Sequence, residues 1–415
     1  MDIDPKLIED LYEALHKVSG YIYPNELELQ WSVLIVLYPY ITGLVAGAFI
    51  LASLERVFNV KEVEPTYRLA LLTSLAFMLV APLPLNAHLG HFERGYEILI
   101  TPNKTSAMAM FGFVYIWYLA VVLLLEVWFE YRKDIVIFSK TKPAPLRWFY
   151  KVLTLGVDNI SPRSLEIDDK IGRAITVIGI PSAVLLHGYV GFIFGSIKAI
   201  PWWSTALMPI IFLFSAMVSG IAMVMILYMF LCWFRGETIK GEKMVCLDAI
   251  ARYLLVALII SFSLEALEMI QKAYEAEEHY DITVVMLEGM LYLSMLVVQV
   301  FLGSIVPMLF LGFVRVVNVH ERIRKAVYAM SSILILIGIF AMRWNVVIGG
   351  QFVSKGFRGL TTYKLGIAGR EGLLSAAIIL VLPFLILAAL IKLFPPWPAG
   401  GVPAEERKGD LTAGA

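Results

Sequence analysis

The chain has 415 residues, of which 59% are hydrophobic and only 16% charged, and its mean hydropathy is +0.77. Soluble domains are about one quarter charged, so this composition excludes an ordinary soluble protein and predicts a polytopic membrane protein. The formal net charge is zero, which gives no electrostatic reason to expect a nucleic-acid partner.

The chain begins with an acidic stretch that lacks the basic n-region of a signal peptide, and we predict an amphipathic segment over residues 1–30. Nine apolar runs follow, each long enough to cross about 30 Å of hydrocarbon as a helix, so the expected fold is all-α. Their predicted ranges are 31–54, 68–89, 107–129, 172–195, 204–234, 248–270, 284–313, 324–348 and 372–394. Residues 395–415 are rich in Pro and Gly, and we predict that they are disordered.

Lys and Arg residues indicate the orientation, because they favour the cytoplasmic side of a membrane. One set of loops holds 23 of the 34 Lys and Arg residues: 54–68, 130–173, 235–252, 315–325 and the C-terminal tail. We therefore predict a multi-pass protein of the cell membrane with its N-terminus outside and its C-terminus inside. Five basic residues between 343 and 371 count against this assignment and leave eight or ten spans open.

Polar side chains gather near the predicted outer ends of the first four spans. They are Tyr38 in span one, Asn86 and His88 in span two, Tyr115 in span three and His187 in span four. Spans six to eight repeat this polar layer with Glu265, Glu268, Glu288, Arg343 and Asn345. Ionisable residues inside a membrane are costly and usually face a protein interior or a water-filled cavity, which makes them functional candidates.

A quinone suits such a layer, because its ring is flat and apolar while its two carbonyl groups need hydrogen-bond donors. Its reduction also takes up protons, and histidine exchanges protons near neutral pH. We therefore predict that Tyr38, Asn86, His88, Tyr115 and His187 bind a quinone, and that both histidines act as catalytic groups. Glu126, alone in an apolar run nearer the cytoplasm, is predicted as a third catalytic group that relays protons.

Each of these residues also has a structural interpretation. Tyrosines near span ends are common in the aromatic belt of membrane proteins. His88 and His187 are also compatible with hydrogen bonds between helices, or with axial ligation of a haem b. Glu126 is compatible with an ion pair that fixes helix packing.

Other cofactors and activities lack a motif. The two cysteines, Cys232 and Cys246, form no CxxC or CxxCH pattern, so we predict neither a cysteine-bound iron–sulfur cluster nor a covalent haem in this chain. No metal site is predicted. GxxxxGK[ST], HExxH and GxSxG motifs do not occur, so nucleotide and hydrolase functions have no support.

Four stretches of the sequence resemble the NrfD/PsrC (polysulfide reductase-type) family of integral membrane subunits, which includes DsrP-, HmeC- and HybB-like anchors. They are "YPYITGLVAGAFI" in the first span, "AHLGHFERGYEILITPNKTSAM" after the second, "IPSAVLLHGYVGFIFGSIKAIPWWSTALMP" from the fourth to the fifth, and "RWNVVIGGQ" in the eighth. The resemblance covers most of residues 31–394.

The resemblance implies two four-helix bundles, 31–195 and 204–348, followed by an additional helix over 372–394. It implies a subunit that binds a menaquinone or ubiquinone, with no haem or cluster of its own. Electrons would pass between the quinone pool and a partner iron–sulfur subunit, which serves a molybdopterin or nickel–iron catalytic subunit. The pocket would lie in the first bundle, with Glu93 and Arg94 at its mouth near the partner-docking surface.

One departure concerns the first span, which holds Tyr38 but no histidine where the family's polysulfide reductase anchor has one. This shifts the predicted carbonyl donor to His88 and His187. Two other functions stay open, a secondary transporter or proton channel, and a purely structural membrane anchor. Transporters place their charged site at the midplane between broken helices, whereas the polar residues here favour one interface.

Overall fold

The structure is a computed structural model that describes residues 29–275, 280–353, 361 and 363–397. Within these ranges nine helices are long and apolar enough to cross a membrane, which confirms the predicted all-α, multi-pass fold. Span one is Val33–Arg56, span two Lys61–His88, span three Ala107–Thr141, span four Pro162–Gly195, span five Met208–Phe234, span six Glu242–Glu275, span seven Tyr292–Val316, span eight Glu321–Gln351 and span nine Leu373–Leu393. Most of the predicted segments 1–30 and 395–415 lies outside the described residues.

Successive spans run in opposite directions, so their ends form two faces. We call the face with the start of span one and the end of span two the His88 face. The opposite face, with the end of span one and the start of span two, is the Arg56 face. The predicted outer side of the membrane corresponds to the His88 face.

Two helices extend well beyond the predicted apolar runs on the Arg56 face. Span three continues to Thr141 and span four begins at Pro162, so most of the predicted loop 130–171 is helical, with a short helix, Leu146–Leu153, between them. Ion pairs join the extensions to their neighbours, since Arg68 contacts Glu130 at 2.6 Å and Arg132 contacts Asp168. Paired charges allow these turns to continue beyond the apolar part of each helix.

Span one is the central helix of the fold. It is buried along nearly its whole length, whereas spans three and nine are largely exposed. Gly47 allows it to cross span five closely, because a Cβ atom added there would lie 2.1 Å from the carbonyl oxygen of Ala216 and 2.8 Å from Cα of Gly220. The small residues of span one therefore bring two backbones into direct contact.

The helices pack as two connected groups. Spans one to four contact one another, spans five to eight do the same, and span nine packs mainly on span two. We call residues 31–195 the first half and residues 204–348 the second half. The division into two separate bundles stays a prediction, because span one packs as closely on span five as on its own neighbours.

The third span of each half contains π-helical turns. They cover Tyr118–Leu124 in span three and Tyr292–Ile305 in span seven. Such turns are rare and occur often at functional sites, because they re-aim the side chains around them. Glu126 follows the first set of turns and Gln299 lies within the second.

Candidate functional site

His187 and Arg343 form a fully buried pair where the two halves meet. Nε2 of His187 lies 3.0 Å from Nη2 of Arg343, and Nδ1 of His187 lies 3.4 Å from Oγ1 of Thr42. A guanidinium group only donates hydrogen bonds, so Nε2 accepts this one and the imidazole is neutral with its proton on Nδ1. Thr42 can accept that proton's hydrogen bond, because its own hydroxyl donates to the carbonyl of Tyr38 at 3.0 Å.

The guanidinium group of Arg343 is surrounded mainly by neutral groups. Its Nη2 donates to Oγ of Ser215 at 2.6 Å, and its Cζ lies 3.9 Å from the ring centroid of Phe212, which also stacks on His187. A buried charge is costly unless another charge compensates it. The carboxyl group that interacts electrostatically with Arg343 is Glu265 of span six.

The pair lies well inside the membrane part of the fold. His187 and Arg343 precede the ends of spans four and eight, at Gly195 and Gln351, by the same number of residues. With a rise of 1.5 Å per residue, this places them about 12 Å from the His88 face. The pair therefore lies among the helices, about two turns below the ends of its spans.

Tyr38 lies one helical turn from Thr42 and belongs to the same buried region. Its ring packs edge-on against Phe111 at 5.6 Å, and Phe111 stacks on Tyr189 at 5.9 Å. Among the described residues, no atom forms a hydrogen bond with the Tyr38 hydroxyl group, which is buried. Leaving a buried hydroxyl unpaired costs about 1–3 kcal/mol, so this group is available as a donor to a ligand.

Two other predicted quinone ligands have protein partners. The Tyr115 hydroxyl donates to the carbonyl of Met78 at 2.6 Å and ties span three to span two. The backbone carbonyls of Asn86 and Leu89 accept hydrogen bonds from Arg370 at the start of span nine. The side chain of Asn86 packs against Gly95.

His88 lies at the end of span two, away from the partners of His187. Its Nδ1 is 3.1 Å from a carboxylate oxygen of Glu371, and its side chain is 22% exposed. His88 and His187 thus have different partners within the described residues. The structure brings His187 close to Tyr38 through Thr42, while His88 joins Asn86 at the contact with span nine.

Glu126 is buried toward the Arg56 face and is 1% exposed. Its Oε1 accepts hydrogen bonds from Thr176 at 2.7 Å and Tyr67 at 3.4 Å. Among the described residues its Oε2 has no hydrogen-bond partner. The carboxyl group therefore links spans two, three and four from the inside.

Glu93 and Arg94 lie on the exposed loop between spans two and three. The carboxylate of Glu93 accepts hydrogen bonds from the backbone N–H of Glu93 and from the side chain of His91, and both lower its pKa. Arg94 donates two hydrogen bonds to Glu97 at 2.9 and 3.0 Å, which lower the pKa of Glu97. The same loop exposes the large apolar side chains Phe92, Tyr96 and Ile100.

The second half contains a chain of buried and half-buried polar groups that sequence reasoning only partly identified. Ser294 donates to Oδ1 of Asn345 at 2.6 Å, Nδ2 of Asn345 donates to Oε1 of Gln299 at 2.8 Å, and Nε2 of Gln299 donates to Oε2 of Glu265 at 2.8 Å. The chain of donors ends on the carboxyl group of Glu265.

A cavity of about 200 Å³ lies beside this chain of hydrogen bonds. Its polar lining comes from Glu265, Glu268, Lys272, Gln299 and Asn345. Its apolar lining includes Trp202, Met208, Met295 and Met342. The cavity thus extends between spans six, seven and eight and reaches the residues on both sides of Arg343.

Thr42, Ser215 and Gln299 were missed as site residues. Each is a small or neutral polar side chain within an apolar run, and such residues are common in membrane helices for packing alone. Their role becomes visible only through the side chains that they contact. In the described part of the chain, no group of three or more His, Cys, Asp and Glu side chains could hold a metal ion.

Comparison with known proteins identifies a family model and several relatives. The family model described as "Polysulphide reductase, NrfD" matches residues 24–354. A selenate reductase subunit of Mesobacillus selenatarsenatis is 29% identical over 337 residues, which are 80% of this chain and 76% of that protein. Protein NrfD of Escherichia coli is 27% identical over 203 residues, covering 48% of this chain and 59% of its own length. A putative dimethyl sulfoxide reductase membrane subunit of Halobacterium salinarum is also 27% identical over 203 residues, covering 47% and 42%.

Proposed function

The chain belongs to the NrfD polysulphide reductase family, and we propose that it is the quinone-interacting membrane subunit of a respiratory oxidoreductase complex. It would exchange electrons between the quinone pool and a partner iron–sulfur subunit, which serves a molybdopterin or nickel–iron catalytic subunit. The relatives named as reductase subunits support a role in such a complex. The observation that carries the proposal is the buried His187–Arg343 pair, since ionisable groups at this depth usually serve function.

The residues near this pair fit a quinone. When bound, a quinone supplies two-electron chemistry that is coupled to two protons. Its two carbonyl oxygens need donors in an apolar setting, and the structure offers the Tyr38 hydroxyl and Nε of Arg343, both buried without a partner among the described residues. Phe111, Tyr189 and Phe212 provide aromatic surface nearby.

His187 would hold and release a proton at Nε2, the nitrogen that now accepts from Arg343. Arg343 would keep the imidazole neutral and correctly oriented until that proton arrives. Tyr38 would donate a hydrogen bond, and Tyr115 would position span three through its contact with Met78. His88 and Asn86 would form the mouth of the site at the start of span nine.

Two further assignments concern the faces of the protein. Glu126 would transfer protons toward the Arg56 face through its contacts with Tyr67 and Thr176. Glu93 and Arg94, with the exposed Phe92 and Tyr96 beside them, would dock the iron–sulfur subunit. The His88 face would then be the outer side of the cell membrane, and the C-terminus would be inside.

The test is quinone-linked electron transfer in the purified complex with its partners. We expect His187→Ala to reduce the rate at least about 100-fold, because a positioned proton donor or acceptor contributes this much to many reactions. His88→Ala should reduce it less, since His88 lies at the mouth. His320→Asn is a matched control, because His320 is an N-cap on the Arg56 face and asparagine preserves that cap.

Normal quinone turnover in both His187→Ala and His88→Ala, with the complex intact, would contradict the site assignment. A purely structural anchor would tolerate the loss of both histidines. Proton conduction by the isolated chain without any quinone would favour a channel.

A further inference from the structure

Span six presents a stripe of ionisable side chains to the cavity of the second half. Glu265, Glu268 and Lys272 follow one another at helical spacing and all line the cavity. Lys272 lies close to Glu275, the last described residue of the helix, while Glu265 lies about two turns deeper. Lys272 pairs with Glu268 at 3.2 Å, and both side chains are 12% exposed. The stripe therefore leads from the His88 face into the interior.

The space beside this stripe is large enough for several water molecules. Its volume of about 200 Å³ exceeds several times the roughly 30 Å³ that one water molecule occupies in the liquid. A buried water molecule needs two to four polar partners. The carboxyl groups of Glu265 and Glu268, the ammonium group of Lys272 and the amides of Gln299 and Asn345 provide them.

The inner end of the cavity lies beside residues that are close to Arg343 in the chain. Met342 and Asn345, on either side of Arg343 in the chain, line its wall. Glu265 is the carboxyl group that interacts electrostatically with Arg343, and Arg343 contacts His187 at 3.0 Å. A change in the charge of Glu265 therefore alters the electrostatic environment of Arg343, which contacts His187.

We infer that Glu265 and this cavity form the proton route between the His88 face and the His187–Arg343 pair. The inference rests on the quinone-linked function proposed above and assigns its proton exchange to the second half. For each quinone reduced, two electrons come from the partner iron–sulfur subunit and two protons enter. For each quinol oxidised, two electrons leave to that subunit and two protons leave. Glu265 takes up and releases these protons one at a time at its carboxyl group.

The charged groups around Glu265 come from two helices. Glu268 and Lys272 lie on its own span, and Arg343 lies on span eight. Among the described residues, spans five and seven line the cavity with the uncharged side chains of Met208, Ile211, Met295, Gln299 and Val300. Protons thus reach Glu265 along span six.

The first experiment measures whether water enters the cavity, and it needs no quinone. In one variant cysteine replaces Ala266, which lines the cavity. In the other it replaces the neighbouring Leu267, which is 56% exposed on the side of the helix that faces away from the protein. A membrane-impermeant thiol reagent is applied to the full chain in sealed vesicles. Because a thiol reacts only where it ionises in contact with water, we expect Ala266→Cys to react about tenfold faster than Leu267→Cys.

A third variant, Glu97→Cys on the exposed loop of the His88 face, shows from which face of the protein the reagent reaches the thiol. Ala266→Cys should react from the same side as Glu97→Cys. Equal rates at positions 266 and 267 would mean that lipid or a ligand fills the cavity and would overturn the inference. Reaction from the opposite side would overturn it as well.

The second experiment removes the titratable group. In the purified complex, Glu265→Gln keeps the side-chain shape and an oxygen that accepts from Gln299, yet it cannot exchange a proton. We expect quinone-linked proton exchange to slow by at least about tenfold, with partial recovery in Glu265→Asp. Glu242→Gln makes the same charge change at an exposed position at the start of span six, on the Arg56 face, and is the matched control.

Failure of the route and failure of the proposed function have different signatures. If quinone binds and Glu265→Gln exchanges protons at the wild-type rate, the route is wrong and the proposed function stands. If quinone turnover survives His187→Ala, the site assignment is wrong, and if the wild-type complex neither binds nor turns over quinone, the proposed function is wrong. Thiol accessibility at position 266 then still reports on the cavity.

Discussion

Each half of the protein holds a carboxyl group among its spans that accepts hydrogen bonds, but Glu126 is buried while Glu265 is half-buried, and their surroundings differ. Glu126 in the first half accepts hydrogen bonds from the hydroxyl groups of Thr176 and Tyr67 and is 1% exposed. Glu265 in the second half accepts from the amide of Gln299 and borders a cavity. Glu126 joins three helices, whereas Glu265 ends a chain of donors beside an open space.

The charged residues near Glu126 also differ from those near Glu265. Glu126 lies one turn before Glu130, which pairs with Arg68 at 2.6 Å in the ion-pair cluster of the Arg56 face. Glu265 lies among the spans and interacts electrostatically with Arg343, which is fully buried. The proton transfer proposed for Glu126 would therefore run through side chains that also fix helix packing. The transfer proposed for Glu265 would run through the cavity.

The largest expected effect concerns the junction that holds the two halves together. Gly47→Ala places a methyl group 2.1 Å from the carbonyl oxygen of Ala216 in span five, so the backbones must separate. We expect a loss of more than about 3 kcal/mol in the free energy of unfolding, because overpacking against a backbone cannot relax by a side-chain rotation. Thermal unfolding of the purified protein in detergent measures it.

Gly312→Ala is the matched control, since nothing lies within 4 Å of a Cβ atom added at that glycine of span seven. Alanine also favours a helix over glycine by about 1 kcal/mol, so this variant should be equal to or slightly more stable than the wild type. Equal stability of both variants would mean that the halves separate easily. The His187–Arg343 pair would then not be a fixed unit.

An intermediate effect is expected at Glu126. Thr176→Val preserves the shape of the side chain but removes the hydroxyl group that donates to Glu126 at 2.7 Å. The carboxyl group stays buried with a weaker set of partners, so we expect a loss of about 1–3 kcal/mol in the free energy of unfolding. Thermal unfolding of the variant in detergent measures it.

Thr73→Val is the control for this variant, because Thr73 is equally buried and its hydroxyl donates only to the carbonyl of Leu69 in its own helix. That change should cost less than about 1 kcal/mol. A larger loss in Thr73→Val than in Thr176→Val would show that the contacts of Glu126 do not stabilise the fold. A contribution to helix packing would then not distinguish Glu126 from Glu265.

The nine spans were predictable from the sequence, because apolar length alone determines which segments cross a bilayer. Span three shows where this reasoning ends. Its apolar run predicts an end near residue 129, yet the helix continues to Thr141 through residues that are paired with other helices. Hydropathy contains no information on such ion pairs, so helix extensions outside the membrane cannot be inferred from it.

The candidate site was predictable only in part. His187 and Arg343 stand out as ionisable residues in apolar runs, but their pairing depends on how spans four and eight are arranged around spans one and five. Sequence periodicity does not specify which helices become neighbours across the two halves. The sequence interpretation therefore grouped His187 with His88 by estimated depth, whereas the structure gives His88 a partner on the span-nine side, Glu371.

The smallest expected effect on stability concerns the exposed loop of the His88 face, which lies apart from both Glu126 and Glu265. Arg94 lowers the pKa of Glu97, so this pair stabilises the loop above the ordinary pKa of a glutamate and loses that contribution as the pH falls through the lowered value. Because both side chains face water, Arg94→Ala should leave thermal unfolding at neutral pH unchanged.

If the loop docks the partner, however, Arg94→Ala should lower the rate of association and remove part of its salt dependence. Exposed charges act mainly on the rate at which two proteins meet. Stopped-flow association with the partner iron–sulfur subunit at two salt concentrations measures this, with Lys170→Ala on the Arg56 face as the control for an equivalent exposed pair. Equal association rates for both variants would show that the loop is not part of the docking surface.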